Sequence, residues 1–283
     1  MSRKFRLLRS LVLWLCIPLV GILGLLTSCQ SKLIYFPRPY GGDHVARWDA
    51  EPGTTVIDYE TRGGKQQAYL LSTTPNPERL WLVCGGNGTL ALEWSDWLRE
   101  HAPAEDAWLM MDIPGYGACA GKPSPSTIRH TLKAVVPAGM GALGWSLPAD
   151  HGKLRFFGHS LGAAVCLMGA DEFDIRRGVV LTPFTSTMEM TKAMLGVNLG
   201  FIVVHRFDNR DRLRALAKRG DATVFIIHGD DDEAIPVGMS RALAKDVPEV
   251  VRYIEIPRGR HNTLQDQAPE EIIKAMREAR MNP

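Results

Sequence analysis

The sequence predicts an α/β fold, a mostly parallel, doubly wound sheet with helices on both faces. Three observations carry that prediction. Short β-rich runs alternate with longer stretches of helical periodicity. Several strand-like runs, such as Val224-Phe225-Ile226-Ile227, are continuously apolar, the pattern of strands buried on both faces of a parallel sheet. The connections between them are short. In order along the chain, strands are expected at 55–60, 67–72, 80–84, 108–112, 154–157, 179–182, 223–228 and 251–256. Helices are expected at 92–100, 126–139, 161–171, 188–195, 211–218, 237–246 and 270–281. The first two strands, joined near Arg62-Gly63-Gly64-Lys65, are expected to pair as an antiparallel hairpin at the sheet edge. Residues 30–50, with Pro37, Pro39 and Gly41-Gly42, read as an extended lead-in, so the folded domain is assigned to 51–283.

The chain has 283 residues, 45% hydrophobic and 23% charged, enough for one sizeable core. Its net charge is +2, but Arg3, Lys4, Arg6 and Arg9 crowd the first ten residues. Removing those four leaves the remainder near −2, and no basic stripe suggests a nucleic-acid partner. Behind the basic residues comes an apolar run at 11–26, so residues 1–28 read as a targeting segment outside the folded domain. Leu26-Thr27-Ser28-Cys29 resembles a bacterial lipobox, in which the cysteine thiol takes the lipid and becomes the new first residue. On that reading Cys29 anchors the body to a membrane of the bacterial envelope, outside the cytoplasm. Gln30 is not the aspartate that retains many such lipoproteins at the inner membrane, so the outer membrane is favoured. The alternative is an uncleaved signal anchor, since the apolar run nearly spans a bilayer. Beyond Cys16 and Cys29, the cysteines Cys84, Cys119 and Cys166 are odd in number and irregularly spaced. They form no disulfide framework and no Cys-x-x-Cys zinc pattern, although Cys84 and Cys119 lie in segments that both approach the expected site.

In such sheets ligands bind beyond the carboxyl ends of the strands. After strand 154–157 stands Gly158-His159-Ser160-Leu161-Gly162, a G-x-S-x-G between a strand and an apolar helix. A sharp turn there lifts the Ser160 hydroxyl above the sheet, and glycines on either side avoid backbone collisions. A serine hydroxyl is a weak nucleophile and needs an adjacent base, itself held by a third group. Of the histidines downstream, His205, His228 and His261, only His261 stands in the loop after the last strand, where chain order requires the base. His228 ends a buried strand and reads as structural. The loop after strand 223–228 carries Asp230, Asp231, Asp232 and Glu233; any of the four could orient the histidine, and a hard cation is the competing reading of the cluster. Backbone donors for a developing oxyanion are expected from Leu161 and from the loop Gly85-Gly86-Asn87-Gly88, with Asn87 as the candidate.

Asp112-Ile113-Pro114-Gly115-Tyr116-Gly117 with its continuation to Ser124 resembles the D-x-x-G-Y-G stretch of α/β-hydrolase-fold serine hydrolases. The Ser160 elbow, the His228-Gly229-x-x-Asp232-x-x-Ile235-Pro236 block and Gly259-x-His261-Asn262 resemble the same family. Thr182-Pro183-Phe184-Thr185-Ser186 and Arg206-Phe207-Asp208-Asn209 are similar to one branch, which holds bacterial lipoprotein hydrolases and eukaryotic depalmitoylase-type hydrolases. The resemblance spans roughly residues 33–280. It implies that Asp232 is the acid, that Asn87 holds the oxyanion position and that the activity is hydrolysis of esters or thioesters with apolar acyl chains. It implies no metal and no cofactor. Two departures are visible: Gly85-Gly86 replaces the usual His-Gly, and Cys119-Ala120 replaces a small polar and acidic pair. Residues between 182 and 223 are too few for a large lid, and Phe184, Met188, Met190, Met194, Leu195, Phe201 and Ile202 are expected either as a small apolar cap or as ordinary core. A monomer acting on a small or lipid-like acyl substrate is expected. Peptidase or amidase action, cofactor-free peroxidase chemistry on the same three residues, and a silent envelope binding module are the alternatives.

Overall fold

The computed structural model describes Trp14, Gly21, Gly24 and residues 30–281. Apart from those three residues the expected targeting segment, Cys16 and Cys29 included, lies outside the described residues. Eight strands form one sheet: β1 (Thr54–Thr61), β2 (Gly64–Ser72), β3 (Leu80–Cys84), β4 (Ala107–Met111), β5 (Leu154–His159), β6 (Arg177–Leu181), β7 (Thr223–Gly229) and β8 (Val251–Ile256). Their order is β1-β2-β4-β3-β5-β6-β7-β8. The β1–β2 hairpin pairs antiparallel and β2 pairs antiparallel with β4, while every pairing from β4 to β8 is parallel.

From residue 44 onward the α-helices among the described residues are α1 (His44–Asp49), α2 (Ser95–His101), α3 (Pro125–Ala142), α4 (Leu161–Phe173), α5 (Thr187–Leu195), α6 (Asn209–Arg219), α7 (Gly238–Asp246), α8 (Leu264–Gln267) and α9 (Pro269–Arg280). The continuous apolar strands are explained by two cores, one on each face of the sheet. Leu80, Leu82 and Cys84 of β3 pack with Leu132 of α3 and Val165 of α4, while Trp81 and Val83 pack with Leu98 of α2 and Met276 of α9. Successive strand residues point to opposite faces, so both sets must be apolar. On the second face Trp81 and Trp108 stack with ring centroids 5.1 Å apart.

Several expectations are corrected. The lead-in is not extended throughout: residues 30–34 are helical and 44–49 form α1. The helix expected at 92–100 begins as a 3₁₀ turn, Ala91–Trp94, before α2. Strand β6 ends at Leu181; Thr182 turns away with φ 46° and donates its N–H to Ile227 O at 2.9 Å. The seven apolar residues between 184 and 202 divide. Phe184 is buried and Met190 packs against the core, whereas Met194, Leu195 and Phe201 are exposed, so neither ordinary core nor a closed cap describes them all. Cys84, Cys119 and Cys166 are buried and free. Among the described residues no helix is long and apolar enough to cross a membrane.

Candidate active site

The site is assembled by three loops at the carboxyl ends of β5, β7 and β8. Ser160 follows β5 directly with φ 55° and ψ −116°, a region that L-residues avoid. Its neighbours make the turn possible. A Cβ on Gly162 would lie 2.0 Å from Cys84 O, and one on Gly158 would lie 2.6 Å from Gly162 O. Only glycine lets α4 start this close to β3, and the tight turn projects the Ser160 side chain at the sheet's rim.

His261 reaches the elbow from the loop after β8. Its Nε2 stands 3.0 Å from Ser160 Oγ, and its Nδ1 stands 2.7 Å from Asp232 Oδ2. Asp232 has a fully buried side chain. Its Oδ1 accepts the N–H groups of Ala234 at 2.8 Å and Ile235 at 2.7 Å, and its Oδ2 also lies 3.1 Å from His228 Nε2. Burial alone would raise the carboxyl's pKa. Hydrogen bonds from His228, His261 and Ile235 outweigh burial and hold it below the usual carboxylate range. Asp232 therefore keeps its charge beside the imidazole.

The other acids do different work. Asp230 accepts the Arg258 N–H with a short hydrogen bond from its carboxylate, and its own N–H donates to Ile256 O at 3.1 Å. Asp231 N–H donates to Gly259 O at 3.1 Å, and Glu233 Oε2 accepts the His261 N–H at 3.3 Å. These bonds stitch the β7 and β8 loops together, and the seam is so close that a Cβ on Gly229 would lie 2.0 Å from Gly259 O. Among the described residues no three His, Cys, Asp or Glu side chains converge as metal ligands.

Two further histidines shape the site. His228 is completely buried; its Nε2 faces Ile235 O at 3.0 Å as well as Asp232, both acceptors, so Nε2 carries a proton, while Nδ1 lies 2.6 Å from Ser240 Oγ, which also reaches Pro183 O at 3.3 Å. His159 is buried between Trp94 and His261, and its Nε2 donates to His261 O at 3.0 Å. Burial first, and then the neighbouring His261, lowers its pKa to about 4. Near neutral pH it thus adds no positive charge beneath the His261 ring.

The departure lies at Gly85 and has a packing reason: a Cβ there would lie 2.9 Å from Trp94 Nε1 and 2.9 Å from Thr89 Cγ2. A Cβ on Gly86 would lie 2.7 Å from His159 Nδ1 and 3.5 Å from Ser160 Cβ, so the β3 loop runs directly against the elbow. Asn87 follows it. Its Oδ1 accepts from Tyr116 OH at 2.8 Å and from Phe36 N–H at 3.0 Å, which fixes the side chain toward the lead-in. Among the described residues neither the Asn87 N–H nor the Leu161 N–H has an intramolecular acceptor. Sequence reasoning missed the contacts of His159 and the bond from His228 to Asp232; an acid four residues after a strand-ending histidine was the available signal for the latter.

The strand order, the two helical layers and the strand–elbow–helix turn define a fold class, and the chain has the α/β-hydrolase fold. No protein-family model matches it. In structure it is similar to an α/β-hydrolase from Vibrio vulnificus, with TM-score 0.66 and 17% identity over 84% of this chain and 88% of that one. It is also similar to the Pyrococcus furiosus esterase Pf2001, with TM-score 0.63 and 16% identity over 87% of this chain and 95% of that one. Est1E from Butyrivibrio proteoclasticus, solved with ferulic acid bound, gives TM-score 0.56 and 21% identity over 80% and 98%. In sequence the chain is 27% identical over 246 residues to the uncharacterized protein Rv2307c of Mycobacterium tuberculosis, covering 86% of this chain and 84% of that protein.

Proposed function

We propose that this chain is a serine hydrolase that cleaves carboxylic esters or thioesters with apolar acyl chains through an acyl-enzyme on Ser160. The observation that carries the reading is the continuous path from Ser160 Oγ to His261 Nε2 at 3.0 Å and from His261 Nδ1 to Asp232 Oδ2 at 2.7 Å. His261 takes the Ser160 proton as Oγ attacks the carbonyl, and Asp232 stabilises the imidazolium that forms. The Asn87 and Leu161 N–H groups receive the oxyanion. His261 then protonates the leaving alcohol or thiol, and a water molecule, deprotonated by His261, releases the acid. Likeness to esterases supports the ester chemistry of this reading.

The lipobox-like Cys29 supports a second element of the proposal, attachment to a membrane of the bacterial envelope through a diacylated cysteine. Lipid chains contribute about 0.8 kcal/mol per buried methylene, and stable anchoring needs more than one chain. Labelling with a fluorophosphonate probe tests the chemistry: the parent should label, Ser160→Ala should not, and an acyl-ester and thioester panel should rank chain length. Labelling that survives in Ser160→Ala would remove Ser160 as nucleophile. Mass spectrometry of the mature amino terminus tests the anchor, since an intact peptide containing residues 11–26 would establish a signal anchor instead.

A further inference from the structure

The lead-in is tied at once to the β3 loop and to the segment of α5 and the 3₁₀ turn Gly200–Ile202 that follows it, an open cap spanning residues 187–205. Gln30, only 7% exposed, donates from Nε2 to Ile202 O at 2.6 Å and accepts from Val204 N–H at 2.7 Å through Oε1. Tyr35 OH lies 3.2 Å from His205 Nδ1, and Phe36 N–H donates to Asn87 Oδ1 at 3.0 Å. Residues 30–36 therefore run from the cap to the proposed oxyanion loop. The cap itself is one unit: Thr191 Oγ1 accepts the Leu199 N–H at 3.2 Å, and a Cβ on Gly200 would lie 2.9 Å from Met188 Cβ.

The surface built this way is apolar where solvent would be expected. Leu33 is 65% exposed, Phe36 58%, Met194 72%, Leu195 61%, Phe201 70% and Val204 62%. Single exposed apolar residues are ordinary, but a cluster of large ones marks an interaction surface. Its unpaired charges are basic: 30–42 and 190–207 contain no carboxylate, Glu189 earlier in α5 is paired with Arg210, and Lys32, Lys192 and Arg206 are exposed. Cations without acids suit anionic lipid headgroups. The decisive point is what precedes Gln30 in the sequence. Gln30, pinned inside this surface, directly follows Cys29 and the apolar run at 11–26, so whatever membrane holds the amino terminus lies beside the patch.

We propose that the lead-in and the cap form one apolar platform that seats on the lipid bilayer carrying the chain's own amino terminus. The platform borders Asn87, so acyl chains reach the site from the lipid side; that consequence rests on the hydrolase reading, whereas the docking itself rests on membrane attachment. The test uses the full chain in vesicles of phosphatidylethanolamine and phosphatidylglycerol, with Leu33→Cys, Phe201→Cys or, as a control on the exposed side of α9, Glu271→Cys. Each added thiol is labelled with an environment-sensitive fluorophore, and the parent supplies the background, its Cys84, Cys119 and Cys166 being buried. Lipids carrying a spin label near the headgroup should quench positions 33 and 201 about twofold, as expected for side chains at the headgroup boundary, and leave 271 unquenched. Equal quenching at all three positions, on protein that floats with the vesicles, would overturn the platform while leaving attachment intact. A blue shift without lipid quenching would also overturn it, with residues 1–29 or a second copy as the cover. Protein that fails to float would overturn attachment and docking together, and ester turnover in solution, measured separately, would still report the hydrolase.

Discussion

His228 donates its Nε2–H to the same oxygen of Asp232 that faces His261, at 3.1 Å, from a completely buried position at the end of β7. The carboxylate is thus held from two sides, with Ala234 and Ile235 N–H groups on its other oxygen. In the proposed mechanism His228 is a positioning residue for Asp232. Losing one hydrogen bond to a charged group costs about 1.5–3 kcal/mol, so His228→Leu should lower kcat/KM roughly 10- to 100-fold. Because His228 and His261 share the same Asp232 oxygen, removing His228 leaves that oxygen freer to hold a protonated His261, so the acid limb of the pH–rate profile should move to higher pH in the variant. His228→Gln, which keeps a donor, should restore part of both. An unshifted acid limb would reduce His228 to a packing residue.

The three adjacent aspartates should separate cleanly. Asp232→Asn should reduce turnover on the order of 10⁴-fold, as expected when the imidazole loses its orienting carboxylate. Asp231, exposed and without a side-chain partner among the described residues, should tolerate Asn. Asp230→Asn should cost stability more than chemistry, because its carboxylate accepts the Arg258 N–H and clamps the His261 loop. Steady-state kinetics with urea unfolding on each variant makes the distinction. Greater loss in Asp230→Asn or Asp231→Asn than in Asp232→Asn would reassign the acid.

Backbone strain at the elbow predicts a difference in stability between two variants of Ser160. Ser160 sits at φ 55°, where a Cβ is unfavourable. Such a residue carries on the order of 1–3 kcal/mol, which Ser160→Gly relieves and Ser160→Ala does not. Part of the gain is returned through the freer unfolded chain. Denaturant midpoints should therefore place Ser160→Gly above Ser160→Ala by about 1 kcal/mol. Equal stabilities would mean that the elbow is relaxed.

Stability should fall on acidification through His159. Its folded pKa, lowered to about 4, lies below the ordinary histidine value near 6.5, so in that window the unfolded chain binds the proton and the native one does not. Native stability from this source is complete above pH 6.5 and declines as pH falls toward 4, by about 2 kcal/mol between pH 7 and pH 5. Asp112 acts in the opposite sense: burial raises its pKa to about 6, so its protonation favours the native state on acidification. Comparison with His159→Asn removes that contribution. Urea unfolding at the two pH values should show a smaller drop in the variant; equal drops would show that His159 titrates normally.

Much of this molecule was legible before its structure. Both 80–84 and 251–256 form strands with the expected bounds, because continuous apolar runs between turn residues leave a chain little choice but a doubly covered strand. The helix at 92–100 was less legible, since its first turn tightens to 3₁₀ geometry against the neighbouring loop, a preference that no periodicity encodes. The lead-in misled for a different reason: its prolines and glycines describe local backbone freedom, whereas its helical turn at 30–34 is docked on residues 202–205 far along the chain.

By itself the sequence determined the α/β architecture, the strand–Ser160–helix turn and the placing of the acidic cluster and His261 after later strands. Those properties depend on short-range periodicity and on the steric freedom of glycine at 158 and 162, so a few adjacent residues suffice to specify them. Only the tertiary structure decided which of four consecutive acids faces His261, and that its neighbours instead bind the backbone of the opposing loop. Only it decided that His228 shares the Asp232 carboxylate and that Gln30 closes on the cap. Each of these is a directional hydrogen bond between groups brought together by the sheet, and its geometry is set by the relative placement of whole strands and loops, which residue types alone do not contain.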